Sequence, residues 1–351
     1  MRFMHTLSLS SRRFGLHLFV ILVFALQAVL NSACRQRDAA ARPTVVLYSS
    51  VDETFLRQIV ADYAQKFGRD VQVVGDSEAG KTTGLINRIR LEKDRPRADV
   101  WWSSEQAQTM LLARENLLAP YDSPTAHDIP AKFRDPANLW TGFALRARVV
   151  AYDPQRTRPA ALPPTWHDFA SHEWAGRVAL ANPLFGTTRT HVAAMDALWG
   201  TDQFRVFISA LAEAHATIAD GNSAAVRKLL DGDVELAFTD SDDVITAQAK
   251  GASLAMIFPD MGDGGTLVIP NTVALVAGAP HPDEARKLID YILSADVEEA
   301  LARSESANYP VRESLRRKLD IDPPPASTIG FAAIADHMPE AVEICREILL
   351  K

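Results

Sequence analysis

"GDSEAGKT", residues 75–82, matches the phosphate-loop pattern G-x-x-x-x-G-K-[ST] at every fixed position: Gly75, Gly80, Lys81 and Thr82. Its reading decides the fold, because a working phosphate loop makes the chain a nucleotide-binding domain. The flanks suit that reading: "VQVV" (71–74) reads as a strand, and "TGLINRIRL" (83–91) as a helix with Leu85 and Ile89 on one face. The chemistry further along does not. Magnesium needs a carboxylate at the carboxyl end of a later apolar strand, and in "ADVWW" (98–102) Asp99 precedes the apolar residues. The match is therefore read as accidental, with Gly75 and Gly80 in a loop and Lys81 and Thr82 opening a solvent-facing helix.

The start of the chain argues the same way. Arg2, Arg12 and Arg13 form a basic region, "FGLHLFVILVFALQAVL" (14–30) is apolar, and "NSAC" brings small residues up to Cys34. Residues 1–33 read as an export signal. The small residues before Cys34 resemble a bacterial lipoprotein cleavage site, although Leu30 lies four residues before the cysteine where that pattern prefers three. Lipidation of Cys34, cleavage without lipid and an uncleaved anchor all place the body outside the cytoplasm, in the periplasm or cell envelope, where there is no ATP pool. Removing residues 1–33, which carry three arginines and no acid, takes the formal charge from −7 to −10. That excludes nucleic acid as a partner. Of the two cysteines, Cys345 in "VEICREILL" reads as a buried apolar residue of the last helix.

After a linker at 34–43, the remaining length exceeds what one core usually covers, and strands alternate with helices. "TVVLYS" (44–49), "VQVV" and "ADVWW" read as strands of a parallel sheet, with "ETFLRQIVADYAQKFG" (53–68) an amphipathic helix between the first two. A second sheet starts at "ARVVAYD" (147–153) and continues through "RVALANP" (177–183) and "VELAFTD" (234–240). "GTLVIPNTVALVAG" (265–278) then returns as extended chain. The fold class is α/β.

Six stretches carry a family resemblance: "VVLYSSVDETFLRQIVADYAQKFGRDVQVV", "PRADVWWSSEQAQTMLLARENLLAPYDS", "RARVVAYDP", "DGNSAAVRKLLDGDVELAFTD", "PNTVALVAGAPHPDEARKLIDYILS" and "NYPVRESL". In this order, across residues 44–318, the chain resembles the solute-binding proteins of bacterial ABC importers, in the branch that includes ferric-ion-binding proteins. The resemblance implies a two-lobed, type II-like periplasmic binding fold that closes over a small ligand as a monomer and delivers it to an inner-membrane permease. Residues 43–146 with 266–322 would form the first lobe, and 147–265 with 323–351 the second.

In those relatives a His after the first strand, a Glu after the "ADV" strand and two adjacent tyrosines hold the metal, and an anion completes the shell from helix N-termini. Carried over, the His position falls near Asp52. The Glu position falls at Glu105, one residue out of register, so that Ser104 competes for it; Ser50 and Ser104 are expected to contact a ligand or anion. The tyrosine pair is replaced in "FTDSDD" by Asp242 and Asp243, preceded by Asp240; none of the six tyrosines falls there. As hard oxygen donors, Asp52, Glu105, Asp240, Asp242 and Asp243 suit Fe³⁺, Mn²⁺, Ca²⁺ or Mg²⁺. They equally suit an organic ammonium, to which Trp101 or Trp102 would add a cation–π face. The competing reading makes Ser241 and Asp243 helix caps only.

A second set suits anions. Gly186, Thr187 and Thr188 in "NPLFGTTRTH", and Asn222 and Ser223 in "DGNSAAV", stand where helices begin, and match the family's anion-holding positions. Ordinary capping is the alternative. Arg146 and Arg148 in "RARVV" suit an anion or an ion pair between lobes. The function expected is uptake of iron(III) or another hard cation, without a resident cofactor. The alternatives are an oxyanion, a phosphonate or a polyamine-like cation on the same scaffold. An enzyme is not expected: G-x-S-x-G, H-E-x-x-H and a suitably spaced Cys/His pair are all missing from the sequence. A hydrolase built from separated carboxylates is the remote alternative.

Overall fold

Short apolar strands alternating with amphipathic helices build one long mixed sheet. The structure is a computed structural model that describes residues 44–51, 53–76, 83–171 and 173–351, without the side chain of Thr54. The signal and linker with Cys34, the position Asp52, and Gly80, Lys81 and Thr82 lie outside the described residues.

Strands β1 (Thr44–Ser49), β2 (Asp70–Gly75) and β3 (Val100–Ser103) alternate with helices α1 (Glu53–Phe67), α2 (Thr83–Leu91) and α3 (Ala107–Arg114). Leu56, Ile59 and Tyr63 form the buried face of α1. β1 and β3 pair in parallel, as crossover through a helix requires. After β4 (Leu118–Ala119) comes the twelve-residue β5 (Thr141–Tyr152). Then follow β6 (Val178–Ala181), α4 (Gly186–Trp199), α5 (Thr201–Glu213), β7 (Thr217–Ala219), α6 (Asn222–Asp231), β8 (Leu236–Asp240) and α7 (Ser241–Ala249). The chain continues through β9 (Ala255–Ile257), β10 (Val268–Val276), α8 (Pro282–Ile292), α9 (Ala295–Arg303), α10 (Glu313–Leu319) and α11 (Phe331–Ile348).

The sheet order is β2-β1-β3-β10-β5-β8-β6-β7, with β4 on β10 and β9 on β5. β5 is the strand that joins the halves. Its residues Thr141–Ala147 pair with β10, whereas Arg148–Tyr152 pair with β8. Pro270 lacks a donor for the ladder, and the β10–β5 register shifts between Pro270 and Asn271.

Two glycines are needed where they stand. Gly232 takes φ 82° to cap α6 in the left-handed region. A Cβ on Gly265 would lie 2.4 Å from the carbonyl carbon of Ala326, where the segment leading to α11 hydrogen-bonds back to Thr266. That crossing carries α11 onto α4, α5 and α3, with Cys345 buried among them.

Asp76 Oδ2 accepts from the backbone N–H of Leu85 at 3.1 Å, so a carboxylate of the chain already occupies the first turn of α2. The tryptophans correct an expectation: Trp101 and Trp102 are both fully buried. Trp101 donates to Thr109 at 2.8 Å and Trp102 packs on Phe143. Neither offers a face to a cation, because β3 lies inside the sheet with both faces covered.

Candidate functional site

A cavity of about 600 Å³ opens where strands from both halves of the sheet end. Ser50 follows β1 and Ser104 follows β3; across from them α4, α6 and α7 begin just after β6, β7 and β8. Ligands of α/β proteins settle outside the carboxyl ends of strands in this way. Ser50, Ser104, Gly186, Thr187, Thr188, Asn222 and Ser223 all line this cavity, and so do Asp240, Asp242 and Asp243.

The three helix starts differ. The cap positions of α4 and α6 are Phe185 and Gly221, and neither provides a side-chain cap. The first-turn N–H groups have no intrahelical carbonyl either, so both ends present donors and the positive end of a helix dipole. The alternative that Thr187, Thr188, Asn222 and Ser223 are ordinary caps is corrected: all four lie inside the first turn. α7 is the reverse case. A capping box closes its end, with Asp240 accepting from the N–H of Asp243 and Asp243 accepting from that of Asp240.

Asp240 is the hub of this wall. Its carboxylate accepts from Arg148 Nη1 at 2.7 Å, Thr187 Oγ1 at 2.5 Å and Asn222 Nδ2 at 2.9 Å. Three side-chain donors therefore converge on this one carboxylate. Asp243 accepts from Ser223 Oγ at 3.1 Å and Thr239 Oγ1 at 2.9 Å. Asp242 pairs with Arg146 at 3.0 Å. One ligand atom from each of the three acids falls within 4.8 Å of the others, with Asp240, among the described residues, the most heavily hydrogen-bonded of the three. The hydroxyl protons of Thr187 and Ser223 go to Asp240 and Asp243, and that of Thr188 goes to Asn222 Oδ1 at 3.2 Å.

Glu105, expected in the same carboxylate set, does not line the cavity. It is fully buried, accepting from the N–H of Gln108 in the first turn of α3 and from Thr190 Oγ1 of α4 at 2.9 Å. Burial pushes its pKa up to about 7, against the opposing pull of those bonds and of Arg189. Behind Asp240, the fully buried Arg148 also donates to His191 Nδ1 at 3.3 Å. Burial first, and Arg148 second, hold His191 well below its usual range.

Sequence reasoning missed the rest of the lining. Val226, Leu230 and Arg227 of α6, Ala247 and Lys250 by α7, and Phe55 of α1 also face the cavity. The helical spacing of Asn222, Val226 and Leu230 was the available signal. Tyr309 was also missed. It lies close enough to Asp242 for that charge to raise its pKa, after the larger effect of burial.

With this geometry in view, the chain can be set beside known proteins. It is 25% identical to iron uptake protein A1 of a Synechocystis strain over 319 residues, covering 86% of this chain and 87% of that one. Iron-bound HitA from Pseudomonas aeruginosa superposes with a TM-score of 0.77 at 24% identity, over 87% of this chain and 99% of that one. AfuA from Actinobacillus pleuropneumoniae, with exogenous fructose-6-phosphate bound, gives 0.76 at 20% identity, over 89% and 100%. Those likenesses establish the two-lobed binding-protein fold. The family model for bacterial extracellular solute-binding proteins matches residues 96–335, well over half the chain, and the chain belongs to that family.

Proposed function

We propose that the protein is the ligand-binding subunit of a bacterial importer, that its cargo is iron(III), and that the metal enters as part of an anionic complex rather than as a bare ion. The observation that carries this reading is the contrast among the helix ends. α4 and α6 open uncapped onto the cavity, whereas Asp240, Asp242 and Asp243 already accept from Arg148, Arg146, Ser223 and Thr239. A bare trivalent ion would have to displace Arg146 from Asp242. An oxyanion complex meets the open N–H groups directly and leaves Asp242 and Asp243 beside the metal. The names of the relatives support iron(III) as the metal. The reading includes a permease as partner, lobes formed by 43–146 with 266–322 and by 147–265 with 323–351, a lipid anchor at Cys34, and no catalysis.

A second reading, a metal-free organic oxyanion such as a phosphate ester, is favoured by the two ion pairs that neutralise Asp240 and Asp242. Calorimetric titration with ferric citrate, citrate alone and a hexose 6-phosphate separates the two. Iron transport requires ferric citrate to bind at least tenfold more tightly than citrate. Equal affinities would overturn the iron reading in favour of the organic anion, and silence from all three would overturn both. The iron-loaded protein is also expected to lack a strong visible charge-transfer band; its appearance would place a tyrosinate, Tyr309 first, in the shell.

A further inference from the structure

We propose that the groove between α6 and α7 is a second compartment of the binding site, built for the apolar body of an organic oxyanion. The proposal rests on the reading that an anionic group sits at the helix starts, whether or not that anion carries iron.

Cavity-lining residues recur every fourth position on both helices: Asn222, Val226 and Leu230 on α6, and Asp243, Ala247 and Gly251 on and just beyond α7. Such spacing marks one continuous face of each helix. Eight residues at 1.5 Å rise make the groove about 12 Å long. Along it the chemistry changes from polar at the helix starts to apolar on α6 and to small on α7. A Cβ added to Gly251 would meet nothing within 4 Å, so the far end has open space.

Two further observations point to an occupant with an organic body. The volume of about 600 Å³ far exceeds what a bare ion fills, since a water molecule takes about 30 Å³ of liquid volume. Leu230 is 47% exposed and it lines this cavity, an apolar side chain that a ligand lying along the groove would cover. At the open rim stand Arg227 and Lys250. Among the described residues neither has a carboxylate within salt-bridge distance, so a second acidic group on the ligand would find cations there.

Alkylphosphonates of increasing length, titrated calorimetrically into the full-length protein without iron, test this. Affinity is expected to rise from methyl- through propyl- to hexylphosphonate by up to about fourfold per methylene, the factor that burial of one CH₂ group supplies. Leu230→Ser, at a half-exposed position, and Ala247→Trp, which would fill the groove, should both weaken hexylphosphonate far more than methylphosphonate. Affinity independent of chain length, or equal losses for both probes in both variants, would overturn the groove while leaving the anion site intact. If no phosphonate of any length binds to folded protein, the anion site fails and the groove with it.

Discussion

Two arginines are buried with a carboxylate at 2.7 Å, and they are finished differently. Arg312, 1% exposed, gives Nη1 to Glu298, Nε to Asp128, and Nη2 to the carbonyls of Thr125 and Leu293. Glu298 in turn accepts from the N–H groups of Ala144 in β5 and Val311. Arg148 is equally buried, but beyond Asp240 it makes only long contacts of 3.3–3.4 Å with His191, Asn222 and Thr187. Among the described residues its Nη2 has no partner, nor does His191 Nε2. Buried donors without acceptors are costly, and native proteins tolerate them mainly at functional sites. The lesson is a division of labour: Arg312 clamps the crossing strand, whereas Arg148 braces Asp240 in the cavity wall with contacts that are less completely satisfied.

Removing each guanidinium is the hardest test of that contrast. Taking one partner from a buried ion pair costs about 3–5 kcal/mol, and Arg312→Met should sit at the upper end because two carboxylates and two carbonyls lose their donor. In urea unfolding, Arg148→Met should lose measurably less. Ligand binding by the folded fraction should reverse the order, with Arg148→Met impaired and Arg312→Met unchanged. Equal stability losses with equal binding would erase the distinction.

The charge left behind can be isolated. Adding Asp240→Asn to Arg148→Met removes the unpaired carboxylate while keeping an acceptor for the cap of α7, and should restore about 1–3 kcal/mol. Failure to recover would mean that Arg148 acts through packing.

Glu105 extends the comparison to a buried carboxylate for which, among the described residues, there is no salt bridge. Its pKa rises to about 7 in the fold, above the value of about 4.3 for an unperturbed glutamate. Between those values the folded chain holds a proton that the unfolded chain has released, so stability falls as pH climbs through this window and levels off above pH 7. The whole effect is at most roughly 4 kcal/mol. Glu105→Gln keeps an acceptor for Thr190 and should flatten melting temperature against pH over that window, with the variant the more stable protein at pH 8. An unchanged slope would show that Glu105 is not the group responsible.

The smallest effect is a reporter. Burial pushes the thiol of Cys345 up to about 12, so in protein carrying Cys34→Ser it should resist thiol reagents at pH 8 until the fold opens. Its labelling rate should rise more in Arg312→Met than in Arg148→Met.

Much of the architecture was legible along the chain. Apolar runs of four to six residues, alternating with faces such as Leu56, Ile59 and Tyr63, are local patterns that neighbours in sequence set between them. The position of Thr187, Thr188, Asn222 and Ser223 at helix starts was legible for the same reason: a strand followed by a short polar turn and a helix forms a local unit. The acidic run was visible too, but its role was not. Asp240 meets Arg148 from 92 positions away, and Thr187 from 53, so whether its lone pairs were spare depended on contacts that no local pattern encodes.

By itself, then, the amino-acid order determined an α/β chain of alternating units and which residues would stand where helices begin. Only the tertiary structure decided that Glu105 turns into the interior, that Trp101 and Trp102 are core, and that α6 and α7 leave a groove between them. The physical reason is that periodicity and turn chemistry act over a few residues. Desolvation and the pairing of buried charges depend on which distant segments the sheet order brings together.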